Sequence, residues 1–145
     1  MKPIAVLAAI IAFAIAPASA DLKDYQRRVG DLAALSGIFG ELHHIRRTCE
    51  PRLEADVWRD RMKQLIDLED PQADARERMV KAFNAGYARA QQRFPYCDGA
   101  ARDYAATRAA EGDVIVERLT APLYEALRES DERPEVSSPR FEERG

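Results

Sequence analysis

The chain has 145 residues, of which 22 are basic and 25 acidic, and its formal net charge is −3. This length suits one domain with a single core. The mild acidic excess provides neither the basic surface of a nucleic-acid-binding protein nor the basic stripe of a membrane-surface helix. We therefore expect no nucleic-acid partner.

The first 20 residues have the three parts of a secretory signal peptide. Lys2 supplies the positive start, an apolar run covers residues 4–16, and residues 18–20 (Ala-Ser-Ala) form a small-x-small cleavage site. The run is shorter than the roughly 20 residues of a membrane-spanning helix. We predict cleavage after residue 20 and a periplasmic or secreted protein that is not inserted in a membrane.

The remainder of the chain predicts helices throughout, because its apolar residues recur at helical spacing and no segment alternates as a strand does. The predicted helices cover residues 22–47, 53–69, 73–94 and about 99–127. Pro51 and Pro71 separate the first three helices, and Asp98 is the predicted N-cap of the fourth. Pro122 either kinks the fourth helix or starts a short final one. The predicted fold is an all-α, up-down bundle of about four helices over residues 21–129.

The glycines of the first helix leave two alternatives open, and the last residues of the chain fall outside the predicted bundle. The first helix contains Gly30, Gly37 and Gly40, which either let a neighbouring helix approach closely or break the helix near Gly37. Its predicted buried stripe comprises Leu22, Tyr25, Val29, Leu32, Phe39, Leu42 and Ile45. Residues 130–145 are rich in charge and poor in apolar groups, which predicts a disordered tail.

The two cysteines are predicted to form one disulfide. In an up-down bundle the first and third helices point the same way, and Cys49 and Cys97 lie just past their ends. The pair lacks the C-x-x-C spacing of a redox motif. A plain structural disulfide is therefore expected, with a groove beside it if the bulky side chains nearby do not fill the space.

Both histidines of the chain, His43 and His44, lie in the first helix. Adjacent helical residues point about 100° apart, so the two rings cannot face one site. We expect one of them to be buried and hydrogen-bonded and the other to be in solvent. A metal site needs three or four convergent ligands, which this spacing does not supply. No cofactor is predicted.

Two other strings carry unusual side chains. Trp58 and Met62 lie one turn apart on a predicted core face. Asn84 and Tyr87 share a face, with Gly86 between them, which fits an inter-helix polar network or a ligand-facing cluster. No nucleophile motif occurs, and the many carboxylates follow the spacing of a solvated helix surface. Catalysis is therefore the weakest of the interpretations.

Taken in order, these strings resemble a family of small, exported, all-helical proteins of unknown function from Gram-negative bacteria. The resemblance covers about residues 25–119. It rests on His43 with Arg46, Trp58-Arg59 with Met62, the F-N-x-G-Y string at 83–87 and the two cysteines. It implies a periplasmic helical domain with a disulfide, and it brings no activity, ligand or site residue.

The leading hypothesis is a non-enzymatic accessory protein that binds another protein of the cell envelope. A groove between the first, third and fourth helices would be the contact. Its predicted binding residues are His43, Arg46, Trp58, Asn84 and Tyr87. The alternative is a small-ligand or metal-binding module that uses one histidine with nearby carboxylates, and a third reading is an enzyme that acts on cell-wall material.

Overall fold

The structure of the chain is a computed structural model that describes residues 18–52 and 55–132, and these residues form four α-helices without a strand. The helices are α1 (Ala18–Cys49), α2 (Val57–Glu69), α3 (Ala73–Arg93) and α4 (Gly99–Glu132). The prediction of an all-α bundle of about four helices is confirmed. The predicted bounds of α3 are correct to within one residue, whereas α4 continues through Pro122 without a break.

Two of the predicted segments fall mostly outside the described residues. The predicted signal peptide covers residues 1–20, and residues 1–17 are not among those described; α1 begins at Ala18. The predicted tail begins at residue 130, whereas α4 ends at Glu132. Residues 133–145 lie outside the described part. Within residues 18–52 and 55–132, no helix is long and apolar enough to cross a membrane.

Helix α1 is the centre of the fold, because each of the other three helices packs mainly against it and only slightly against the others. Between Leu35 and Ile45 every residue except the half-buried Phe39 is buried. The buried apolar residues of the four helices are Val29, Leu32, Leu35, Ile38, Leu42, Ile45, Met62, Ile66, Ala75, Met79, Ala90, Ala101 and Ile115. A helix that is covered on every side must satisfy its polar residues internally.

The predicted buried stripe of α1 is only partly correct. Val29, Leu32, Leu42 and Ile45 are buried, but Leu22 and Tyr25 are exposed. Residues 21–28 are all exposed, because this part of α1 is not covered by the other helices. The core therefore begins at Val29.

Gly37 and Gly40 of α1 mark a close approach to α3, and α1 does not break. A Cβ on Gly40 would overlap the carbonyl oxygen of Phe83 and lie 2.9 Å from the backbone nitrogen of Tyr87. A Cβ on Gly86 would overlap the carbonyl group of Gly37. The two backbones touch at these positions, so the first of the two predicted alternatives is correct.

The disulfide joins Cys49 to Cys97, with the two Cα atoms 4.9 Å apart. It links the end of α1 to the connection between α3 and α4, as the predicted topology implies. Because the cysteines are 48 residues apart, the chain-entropy model assigns the bond about 4 kcal/mol of stability. Asp98 caps α4 as predicted, since its Oδ1 accepts a hydrogen bond of 2.8 Å from the backbone N–H of Ala101.

Candidate functional site

A groove runs beside the disulfide, between α2 and α4, with α1 as its floor. It exists because both helices pack against α1 and hardly against each other. Its volume is about 380 Å³. The groove is lined by Leu42, Ile45, Arg46, Cys49, Glu50, Trp58, Arg102, Ala105 and Ala109. It contains two of the five predicted binding residues, Arg46 and Trp58.

The apolar part of the groove is formed by a tryptophan opposite two alanines. The half-buried Trp58 ring packs against Phe39, with 5.5 Å between the ring centroids. The guanidinium carbon of Arg61 lies over the Trp58 ring, 4.9 Å from its centroid. Across the groove, Ala105 and Ala109 of α4 are too small to fill the space. The ring is thus held rigidly while part of it faces the opening.

The rim of the groove is charged. Arg46 of α1 and Glu50, the residue after the end of α1, form an ion pair of 2.7 Å and are both partly exposed. Arg102 lies exposed on the α4 side. Two guanidinium groups and one carboxylate therefore surround an apolar floor.

The other three predicted residues lie on the α3 side of α1, so the five do not form one site. The ring of His43 packs between Phe83 and Tyr87, with 5.7 Å between its centroid and each of theirs. Asn84 is exposed on α3. The predicted contact between α1, α3 and α4 is thus divided by α1 itself, and the groove at the disulfide lies between α1, α2 and α4.

His43 is buried in a position that favours its neutral form. Burial lowers the pKa of its imidazole, and the positive charge of Arg47 lowers it further, while Asp56 acts in the opposite direction. Nε2 of His43 lies 3.9 Å from Oδ1 of Asp56. Its Nδ1 has no hydrogen-bond partner within the described part of the chain. Protonation of this ring is therefore unfavourable in the folded state.

His44 is buried as well, so the expectation that one histidine is in solvent is wrong. Its Nε2–H donates a hydrogen bond of 2.8 Å to the carbonyl of Phe94, which fixes the position of the proton because a carbonyl only accepts. The rings of His44 and Tyr87 are perpendicular, with centroids 5.4 Å apart. Both histidines are buried because α3 and the segment that follows it cover the two neighbouring faces of α1 on which they lie.

The most consequential group that the sequence interpretation missed is Glu41. Its side chain is 3% exposed, and it was expected to be a solvated carboxylate like its neighbours along the chain. Oε1 accepts a 3.0 Å hydrogen bond from Arg89 of α3, and Oε2 accepts one of 2.6 Å from Arg108 of α4. Arg108 also pairs with Glu111. The carboxylate thus links α1 to both α3 and α4. Helices α3 and α4 scarcely touch each other directly.

The surroundings of Glu41 show the strength of this link. Burial lowers the pKa of Arg108, but the hydrogen bond and charge of Glu41 outweigh burial and raise the pKa overall. Burial raises the pKa of Tyr104, and the charge of Glu41 raises it further. A carboxylate held by two guanidinium groups is engaged on both oxygens, so it is a structural link rather than a free base. The sequence held one indication that Glu41 is buried, because it lies among small and apolar residues on every face of α1.

The described residues offer little support for a metal site or for a second, charged binding site. No group of three or more His, Cys, Asp or Glu residues in residues 18–52 and 55–132 is placed to hold a metal ion. A further groove of about 470 Å³ lies between α3 and α4, where Arg89, Arg108 and Glu111 line it. These charges are already paired with each other and with Glu41.

Comparison with known proteins identifies a family. Residues 25–122, more than half of the chain, match the model of the family described as "Protein of unknown function (DUF2385)". No curated protein and no solved structure matches the chain. The matched range contains the disulfide, the groove beside it and the link at Glu41.

Proposed function

The chain belongs to this family of unknown function, and we propose that it is a non-enzymatic accessory protein that binds another protein of the cell envelope. The contact is the groove between α2 and α4, where Trp58 is the apolar anchor and Arg46 the charged partner. Tryptophan and arginine are the residue types that most often dominate the energy of protein contacts. His43, Asn84 and Tyr87 lie away from this groove and are not part of the proposed contact.

The observation that carries this proposal is the firmly packed, half-buried Trp58 on one side of the groove. Across from it, Ala105 and Ala109 are too small to fill the space. The disulfide at Cys49 closes one end of the groove and holds the end of α1. A preformed surface loses little conformational entropy on binding, which favours recognition without rearrangement. The periplasmic location is supported by the predicted signal peptide and by the disulfide, since disulfides persist in oxidising compartments.

Site-specific photo-crosslinking of the exported protein in cells tests this proposal. A photoreactive amino acid in place of Arg102, on the rim of the groove, should capture one envelope protein. The capture should be lost in Trp58→Ala and strongly reduced in Arg46→Glu. Asn84→Ala is the matched control, because Asn84 is an exposed residue on the other side of α1, and it should leave capture unchanged.

Two results would contradict the proposal. One is an absence of capture from Arg102, and the other is an equal loss in Asn84→Ala and Trp58→Ala. Each variant is first shown to be folded by urea denaturation, because Trp58 also packs against Phe39. If native mass spectrometry instead shows a small molecule bound to the purified protein, and Trp58→Ala releases it, the small-ligand alternative replaces the protein-binding one.

A further inference from the structure

The last three turns of α4 carry large apolar side chains that nothing in the described structure covers. Every residue from Ala121 to Glu132 is exposed. Leu123, Tyr124 and Leu127 are 60%, 62% and 51% exposed. Single exposed apolar residues are common on soluble proteins, but a contiguous group marks a contact surface.

These side chains form one stripe. With about 100° between successive helical residues, Val116, Leu123, Tyr124 and Leu127 fall within an arc of about 100°. Val116 is 42% exposed, and the other three are each more than half exposed. Monomeric proteins carry patches of about 300–600 Å² as their largest, and such patches are often functional. This set of four residues is hereafter the α4 stripe.

The α4 stripe continues the wall of the groove at the disulfide. Ala105 and Ala109, which line that groove, fall in the same arc of α4 as Leu123 and Leu127, because 18 residues make about five full turns. Groove and stripe together extend about 33 Å along α4, from Ala105 to Leu127, at 1.5 Å per residue. That is the length of about six turns of a partner helix.

The charges at the C-terminal end of α4 indicate the kind of partner. From Glu125 to Glu132 the helix carries four acidic residues and only one base, Arg128. Its last turn contains no basic residue. Carboxylates at a helix C-terminus are unfavourable, because the negative end of the helix dipole is already there. A cationic group bound beside Glu132 would relieve this repulsion.

We propose that the α4 stripe, continuous with the groove, seats an amphipathic helix of the partner protein, whose basic residues lie beside Glu129 and Glu132. This inference rests on the proposed function and names the form of its partner. A second copy of the chain docked on the stripe with its α4 parallel would place the acidic ends together, which like charges oppose. Residues 133–145 contain three arginines and three glutamates, so that segment supplies no net positive charge.

The experiment places a photoreactive amino acid at Leu123 and, separately, at Leu127 of the full exported chain, in cells. Val114 is the matched control: it is 52% exposed and lies about 180° from Leu123 on the same helix. Mass spectrometry of the crosslinked peptides identifies the captured segment. We expect Leu123 and Leu127 to capture one partner segment with apolar residues at three- and four-residue spacing and with Lys or Arg at one end. Val114 should not capture that segment.

A synthetic peptide of the captured segment then measures the contribution of each feature by fluorescence anisotropy. The double variant Leu123→Ser, Leu127→Ser should weaken its binding by about tenfold or more, whereas Val114→Ser should not. The double variant Glu129→Lys, Glu132→Lys should weaken binding several-fold and reduce its dependence on salt, because exposed charges are screened. All these positions are exposed, so the variants retain the fold; urea denaturation checks this.

Several outcomes overturn the inference. They are capture of a second copy, capture of residues 133–145 of the same chain, equal capture from Val114, an acidic partner segment, or no capture at all. The outcome for the proposed function is read separately. Capture from Arg102 without capture from Leu123 or Leu127 overturns the inference and leaves the proposed function standing, and capture from none of the three positions overturns both.

Discussion

The contact between the backbones of α1 and α3 makes Gly86→Ala a sharp test of the fold. A Cβ at this position would overlap the carbonyl oxygen of Gly37 and lie 2.9 Å from its carbonyl carbon. Both atoms belong to a helix backbone, so no side chain can turn away to make room. None of the glycines in the described residues has a positive φ angle, and alanine is therefore excluded at position 86 by space and not by backbone conformation.

The magnitude follows from the distance that the helices must separate. Carbon atoms pack best about 3.5–4.0 Å apart, and the Cβ would be closer still to the carbonyl oxygen, so α1 and α3 must separate by roughly 1 Å or more. A gap of that size forfeits a quarter to a half of the dispersion energy of the contacts around it, and overpacking in cores costs about 1–3 kcal/mol or more. Alanine returns about 1 kcal/mol through its higher helix propensity. We expect a net loss of about 2 kcal/mol.

Urea denaturation of Gly86→Ala and wild type measures this loss, with Gly30→Ala as the matched control. Gly30 is likewise inside a helix, α1, but a Cβ there would have no atom within 4 Å. Gly30→Ala should therefore stabilise the protein by up to about 1 kcal/mol. If the two alanine variants have the same unfolding free energy, the close approach of α1 and α3 is refuted.

Three further perturbations have defined outcomes. Glu41→Gln should lower the unfolding free energy by about 2–4 kcal/mol, because it leaves two guanidinium groups without their carboxylate, whereas Glu111→Gln, at an exposed ion pair, should cost less than about 1 kcal/mol in the same urea titration. The double variant Cys49→Ser, Cys97→Ser should lose about 4 kcal/mol by calorimetry, and alkylation without reductant should leave the wild-type mass unchanged. The pKa of His43 is lowered in the folded state, so the unfolded chain takes up its proton first as the pH falls below about 6.5. Wild type should therefore lose stability relative to His43→Phe between pH 7.5 and pH 5.5, and parallel stability curves for the two proteins would contradict this.

The helices and the disulfide were predictable because they depend on local signals. Proline positions mark the helix ends, apolar spacing marks the helices, and the up-down topology brings Cys49 and Cys97 together. The central position of α1 was not predictable in the same way. It depends on which helices pack on which faces of α1, which is a tertiary property. Polar residues in α1, such as Ser36, Glu41 and His44, make the burial of this helix difficult to recognise from the sequence. The carboxylates were expected in solvent and the sequence did not say which histidine is buried, whereas Ser36, Glu41 and His44 are all buried.

The same reasoning explains why the predicted binding residues were separated. His43 and Arg46 are three residues apart and lie on neighbouring faces of α1, as expected for a helix that borders one groove. Because α1 is covered all round, these faces meet different helices: His43 meets α3, and Arg46 meets the groove beside α4. Helical spacing predicts which side chains share a face, but the helix that covers each face decides whether they share a site.

The disulfide and the ion pairs of Glu41 keep the groove in shape. Both the disulfide and the carboxylate of Glu41 act at the end of the fold where the groove lies. They connect α1 to α3 and α4, so the groove wall on α4 is fixed relative to the floor on α1. The free end of α4 beyond Leu119 has no comparable link among the described residues, apart from Arg28 of α1, which donates to the carbonyl of Leu119. A partner helix would therefore meet a rigid anchor at Trp58 first, and the apolar free end would then adjust to it. This order requires the groove to recognise the partner and the α4 stripe to add affinity, which is why the two are tested at separate positions.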